Sequence, residues 1–84
     1  MGQNPQHSIV LFTKPGCGLC DRAKDVIRGV QRHVAFEFEE KNILDDAILY
    51  GRYKNDIPVI LLDGREIARH RISPRQLANA LCDP

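Results

Sequence analysis

Cys17 and Cys20 stand three residues apart in Cys17-Gly18-Leu19-Cys20, directly after an apolar run and directly before a helical pattern. If a helix begins within the motif, Cys17 lies at its N-terminal edge and Cys20 one turn on along the same face. The two sulfurs then come within bonding reach. The chemistry that this spacing offers is a reversible disulfide. Unpaired backbone N–H groups and the positive end of a helix dipole favour a thiolate on Cys17, and such positions lower a cysteine pKa from about 8.5 to roughly 3.5–7.5. Cys17 is therefore the expected nucleophile. Cys20, deeper in the first turn and less favoured as an anion, is the expected resolving thiol, which attacks a mixed disulfide at Cys17. Asp21 suits the helix dipole but opposes a second thiolate nearby.

Two other readings of the cysteines compete. A CxxC is also half of a structural zinc site, which needs four ligands, and neither a second CxxC nor a His pair at ligand spacing occurs in the chain. Cys82, His7, His33 and His70 are scattered singly and read as ordinary core or surface residues. A permanent structural disulfide is the other alternative, but nothing else suggests an exported disulfide scaffold.

The chain has 84 residues, enough for one domain with a modest core, and its 43% apolar content is that of an ordinary folded protein. No apolar span has the length of a membrane helix. The polar start Met1-Gly2-Gln3-Asn4-Pro5-Gln6 lacks a signal peptide's apolar core, and Gln6 breaks the myristoylation pattern. Residues 1–7 read as a flexible N-terminal extension. The expected compartment is a reducing cytoplasm, where a CxxC is held mainly as the dithiol. A net charge of +1 gives no reason to expect a nucleic-acid partner, and no membrane partner is expected. One local bias is basic: Arg65, Arg69, Arg71 and Arg75, with only Glu66 among them, form either a solvated edge or a docking site for an anionic partner.

The elements that must position the thiols alternate between strand and helix. Ser8-Ile9-Val10-Leu11-Phe12-Thr13 has the length and composition of a strand buried on both faces, ending at Lys14-Pro15-Gly16. From Gly18 to about Arg32, residues Leu19, Ala23, Val26, Ile27 and Val30 fall at helical spacing. Val34, Phe36 and Phe38 alternate with Ala35, Glu37 and Glu39, which predicts a half-buried strand over 34–39. Asn42 can cap a second helix ending near Asn55, with Leu44, Ala47, Ile48 and Tyr50 inward, although Gly51 weakens its interior by about 1 kcal/mol relative to Ala. Val59-Ile60-Leu61-Leu62 predicts a strand that turns at Asp63-Gly64 into an antiparallel neighbour over Arg65–Arg71. Ser73-Pro74-Arg75-Gln76 supplies a cap, a first-position proline and a capping-box residue to a last helix whose apolar face is Leu77, Ala78 and Leu81.

The order is thus β-α-β-α-β-β-α, an α/β chain with the CxxC between the first strand and first helix. Over nearly its whole length it resembles a glutaredoxin-like member of the thioredoxin superfamily. The resemblance rests on Lys14-Pro15-Gly16-Cys17-Gly18-Leu19-Cys20, on Ile57-Pro58-Val59 and on the Asp63-Gly64 hairpin. It implies a thioredoxin-like fold with a central four-stranded mixed sheet flanked by helices, and a cis peptide bond at Pro58 packed against the dithiol. It also implies a thiol–disulfide oxidoreductase, with Lys14 as partner for a glutathione carboxylate and the backbone of Ile57 and Pro58 beside the substrate. The expected partners are a disulfide-containing protein or a small-molecule thiol, and a reductant, either glutathione or thioredoxin reductase. A monomer with no bound cofactor is expected. Two departures from the family pattern count against glutathione: Gly18-Leu19 replaces Pro-Tyr, and Arg71-Ile72-Ser73-Pro74 replaces a Gly-Gly followed by an acid. The alternative function is a non-catalytic thioredoxin-fold binding module or an iron–sulfur cluster carrier.

Overall fold

The chain's structure, a computed structural model, describes residues 7–82. Strand β1 (Ser8–Thr13) is central because each of its four apolar side chains has somewhere apolar to go: Ile9 and Leu11 enter one core cluster, while Val10 and Phe12 pack with the other. This period of two is what a strand sandwiched between helical layers requires. The elements that follow are α1 (Gly18–Gln31), β2 (Glu37–Asn42), a 3₁₀ turn (Ile43–Asp45), α2 (Ala47–Tyr53), β3 (Val59–Leu62), β4 (Arg65–Arg69) and α3 (Pro74–Cys82). The strands lie in the order β2-β1-β3-β4. β1 pairs parallel with β2 and antiparallel with β3, and β3 pairs antiparallel with β4. This is the mixed four-stranded sheet that the family resemblance implied.

Helices α1 and α3 cover one face. Ala23, Ile27 and Val30 of α1 and Leu77 and Leu81 of α3 join Ile9, Leu11, Ile60 and Leu62 there. On the other face Ile43 is fully buried, and Leu49 and Tyr53 of α2 pack beside Phe12, Ile57 and Val59. The rings of Phe12 and Tyr53 sit 5.0 Å apart at 32°.

Two elements depart from the periodicity. β2 begins at Glu37, not at Val34, and runs to Asn42 with Glu39, Glu40 and Lys41 exposed. Phe36, although buried, precedes the strand, and its carbonyl accepts a hydrogen bond from Gln31 Nε2 at 3.0 Å. A backbone ladder to β1, from Ser8↔Glu37 to Thr13↔Asn42, fixes this edge strand, so its side-chain pattern carries little information. Asn42 does act as a cap, but of the 3₁₀ turn, through the Leu44 N–H at 2.9 Å. Asp46 caps α2 instead, accepting from Ile48 N–H at 2.9 Å and Leu49 N–H at 3.1 Å. That shift rotates the inward face onto Ile43, Leu49 and Tyr53, leaving Ala47 exposed and Leu44, Ile48 and Tyr50 56%, 78% and 41% exposed. The helix passes through Gly51 and stops at Tyr53, two residues short of the expected end.

Asp63 (φ 51°) and Gly64 (φ 85°) form the hairpin, both in the left-handed region that a two-residue type I′ turn demands. Asp63 also ties down the start of β1. Its carboxylate accepts from the Ser8 N–H at 2.8 Å and meets His7 Nδ1 at 2.7 Å, and these contacts hold its carboxyl below the usual carboxylate range. The expected extension over residues 1–7 lies outside the described residues except for His7, whose carbonyl also accepts from the Glu37 N–H at 3.0 Å. β4 ends at Arg69, two residues early, because His70 turns left-handed (φ 71°) and gives its N–H to the Pro58 carbonyl at 2.7 Å. In α3 the Ser73 cap forms, with Oγ accepting the Gln76 N–H at 3.0 Å. The Gln76 side chain does not close a capping box; it reaches the Ile67 carbonyl at 3.4 Å.

The outward rotation of α2 is directly measurable. Ile27→Ala, at a site with no exposed surface, should cost roughly 2–5 kcal/mol through lost transfer energy and the cavity left behind. Ile48→Ala should stay within about 0.5 kcal/mol of the parent. Urea unfolding of both variants checks this, and a large loss at Ile48 would place it in the core after all.

Candidate active site

The loop Lys14-Pro15-Gly16 leads from the end of β1 into α1, with Gly16 at φ 78° supplying the left-handed step that an L side chain would resist. It delivers Cys17 as the N-cap of α1. Cys17 is half-buried, its Sγ accepts the Cys20 N–H at 3.2 Å, and its carbonyl accepts the Asp21 N–H at 3.1 Å. The sulfur thus occupies the place where a serine or aspartate oxygen caps other helices, facing N–H groups that have no carbonyl partner in the helix.

Cys20 lies one turn on and is 1% exposed, packed with Phe12, Ile43, Ile57 and Val59. Burial pushes its thiol up to about 11, and the adjacent Cys17 pushes in the same direction. Two donors oppose the rise: the hydroxyl of Thr13 and the backbone N–H of Lys14. Burial, rather than the charge of the exposed Asp21, keeps the proton on Cys20. The pair therefore divides into one half-buried sulfur and one held in the apolar layer, with the Cys20 N–H hydrogen-bonded to Cys17 Sγ at 3.2 Å.

The structure brings the other site residues of the sequence reading around this pair in unequal ways. The Ile57–Pro58 bond is cis, both residues are buried, and Ile57 packs with Cys20 in the same apolar cluster. Lys14 is exposed, and its backbone N–H acts on the pair by favouring the Cys20 thiolate. Thr13 escaped the sequence reading, which took it as one more strand residue. Its signal was a lone hydroxyl closing an apolar strand just before the thiol loop.

A second polar group fixes the loop ahead of Pro58. Asp56 meets Arg69 Nη1 at 3.4 Å and His70 Nε2 at 3.5 Å, while Arg69 grips Glu66 with two hydrogen bonds of 2.6 and 2.7 Å. Glu66 is held below its usual range by that guanidinium. Arg69, one of the cations of the basic run, is thereby already engaged by two carboxylates.

The comparisons with known proteins agree with this fold. The family model described as Glutaredoxin-like domain (DUF836) matches residues 8–82. A glutaredoxin-like protein YDR286C homolog of Dictyostelium discoideum is 36% identical over 76 residues, covering 83% of this chain and 70% of its own length. Among solved structures, the target protein XcR50 from X. campestris is 32% identical with a TM-score of 0.70, covering 90% of this chain and 99% of that one. The fold alone is shared with a mutant thioredoxin from Halobacterium salinarum, 15% identical with a TM-score of 0.69, covering 92% of this chain and 73% of that one. With the family model spanning nearly all of the described residues and both thiols in place at the head of α1, the chain belongs to the glutaredoxin-like domain (DUF836) family of the thioredoxin superfamily.

Proposed function

We propose that the protein is a thiol–disulfide oxidoreductase working by dithiol exchange through Cys17 and Cys20. The observation that carries this reading is the division of labour within the pair: a half-buried sulfur at a helix N-terminus, in contact with a buried one. Cys17, as thiolate, attacks one sulfur of a partner disulfide, and the partner's other sulfur leaves as a thiolate. Cys20 then attacks Cys17 Sγ and breaks its bond to the partner sulfur first attacked, which leaves and takes up the proton that Cys20 gives up. Two electrons pass to the partner, the protein is left with a Cys17–Cys20 disulfide, and a thiol reductant restores it.

Cys20 changes character on the way. While Cys17 is free, its hydrogen bond and charge help to keep Cys20 protonated. Once Cys17 is tied into the mixed disulfide its charge is gone, whereas the Thr13 hydroxyl and Lys14 N–H still favour the Cys20 thiolate. Resolution is therefore promoted by the step that precedes it.

Glutathione fits this site poorly. Ser73 already takes the Gln76 N–H at the start of α3, Pro74 has no N–H to offer, and the Arg69 guanidinium is held by Glu66 and Asp56. Glycine flexibility and an acidic partner for a glutathione amino group are both missing from Arg71-Ile72-Ser73-Pro74.

Cys20→Ser should trap a mixed disulfide at Cys17, seen by mass spectrometry, while Cys17→Ser should trap none and Cys82→Ser should behave as the parent. Turnover of a protein disulfide by both active-site variants at the parental rate would overturn the scheme. Thr13→Val removes the hydroxyl that favours the Cys20 thiolate. It should raise the pH at which Cys20 becomes alkylated and slow release from the mixed disulfide by about tenfold, the worth of one hydrogen bond to a charged group. Thr13→Ser should restore both. A loss of stability with an unmoved pH profile would reduce Thr13 to a packing residue. Glutathione titrated into Cys20→Ser should give weak, non-saturating NMR shifts and a low yield of glutathionylated Cys17. Tight saturation centred on Lys14, Pro58 and Ser73 would show that the site holds glutathione by another route.

A further inference from the structure

A cleft of about 410 Å³ opens between the first turns of α1 and the connection from β4 to α3. It starts at the redox motif itself, because Leu19, which lies between the two cysteines, forms part of its floor with Val26 and Ile72. Its rim carries Arg22, Arg71 and His70, and no carboxylate lines it. Among the described residues, neither Arg22 nor Arg71 has a carboxylate within ion-pair distance, including Asp21 and Asp25 on the same helix as Arg22. Nearby, Lys24 pairs with Glu40 and Arg69 with Glu66 and Asp56, and the His70 ring lies 3.5 Å from Asp56. Two uncompensated guanidiniums therefore face an apolar trough beside the nucleophile.

We infer that this cleft selects the disulfide partner, and that the partner is a polypeptide whose reactive cysteine is flanked by an apolar side chain and by an Asp or Glu. The apolar group lies on Leu19, Val26 and Ile72, and the carboxylate meets Arg22 and Arg71. Charge complementarity decides the acid, since guanidinium pairs with carboxylate in a planar, two-bond geometry. Proximity decides the spacing: a strand-like segment advances about 3.3 Å per residue, so a residue next to the attacked cysteine already reaches the start of the trough. The inference rests on the exchange reading above, and it names the substrate class for that reaction.

The test uses peptides closed by one internal disulfide, with Leu beside the first cysteine and a flank of Asp, Ser or Lys. The reduced protein should reduce the Asp peptide about fivefold faster than the Lys peptide, the scale expected of two surface ion pairs. The ratio should shrink towards unity in about 1 M salt, where screening acts over roughly 3 Å. The double variant Arg22→Glu, Arg71→Glu should reverse the order of the peptides. A second arm needs no redox chemistry: the same peptides with Ser for Cys are titrated into the unaltered protein by NMR. The Asp version should bind more tightly and shift Leu19, Arg22, Arg71 and Ile72. Charge-ordered binding with no reduction of any peptide would sustain the cleft and sink the exchange reading. Equal rates and equal affinities across the three flanks, or an order unchanged in the double variant, would overturn the cleft. Glutathione disulfide outrunning the Asp peptide, with the same salt sensitivity, would give the cleft to a small thiol and overturn the polypeptide partner.

Discussion

The structure depends on docking the first turn of α1 against the end of β1, because this junction buries one sulfur while leaving its neighbour at the surface. Phe12 and Thr13 close β1, Lys14-Pro15-Gly16 reverses the chain, and Cys20 comes to rest against Phe12, Ile57 and Val59. Moving the helix by one residue would turn Cys20 by about 100° and present a different side chain to that layer. The register is held from both sides. Ala23, Ile27 and Val30 lock α1 onto the sheet further along, and the Gly16 turn with the Cys17 cap locks its start.

Where burial and chemistry act on the same residues, the sequence was informative. β1, α1, β3 and the Asp63-Gly64 hairpin lie where apolar spacing and turn residues put them, and Cys17 caps α1 as its position in the motif implies. Legibility fails where side-chain pattern and fold are decoupled. β2 is an edge strand set by its ladder to β1, so Glu37, Glu39, Glu40 and Lys41 conceal it. At α2 two caps lie four residues apart, Asn42, which the sequence reading named, and Asp46, which it did not. Both form, and only packing against Phe12 determines that Leu49 and Tyr53 turn inward while Ile48 does not. Thr13 was hidden for another reason: its role depends on a sulfur seven positions away, which no local pattern reveals.

The small net charge conceals an uneven distribution. β2 and β4 are opposite edges of the sheet. One edge, with the turn after it, carries Glu37, Glu39, Glu40, Asp45 and Asp46, and the other, with the start of α3, carries Arg65, Arg69, Arg71 and Arg75. Such a field orients an approaching partner before contact, and charged edges also discourage strand pairing between copies. Only part of the basic side is available, because Asp56 and Glu66 engage Arg69 where β4 meets the loop of Pro58. That pairing separates two tasks within the run of arginines. Arg69 fixes backbone next to the thiols, and Arg71 is left to face solvent.

The raised Cys20 value has a consequence for the whole fold. Its ordinary value is 9.0 and the native environment moves it to about 11, so between these the native state binds more protons than the unfolded chain. Stability contributed by the buried neutral thiol is complete below pH 9.0 and is lost as pH rises towards 11. The group that would resolve the mixed disulfide in the proposed exchange is thus also one that the core prefers neutral. A thiol as free to ionise as one in water would need neither the Thr13 hydroxyl nor the Lys14 N–H, and a thiol buried without them would resist the charge needed for attack. Placing those two donors in an otherwise apolar layer would let one sulfur serve packing at rest and, in the proposed exchange, chemistry when Cys17 is occupied.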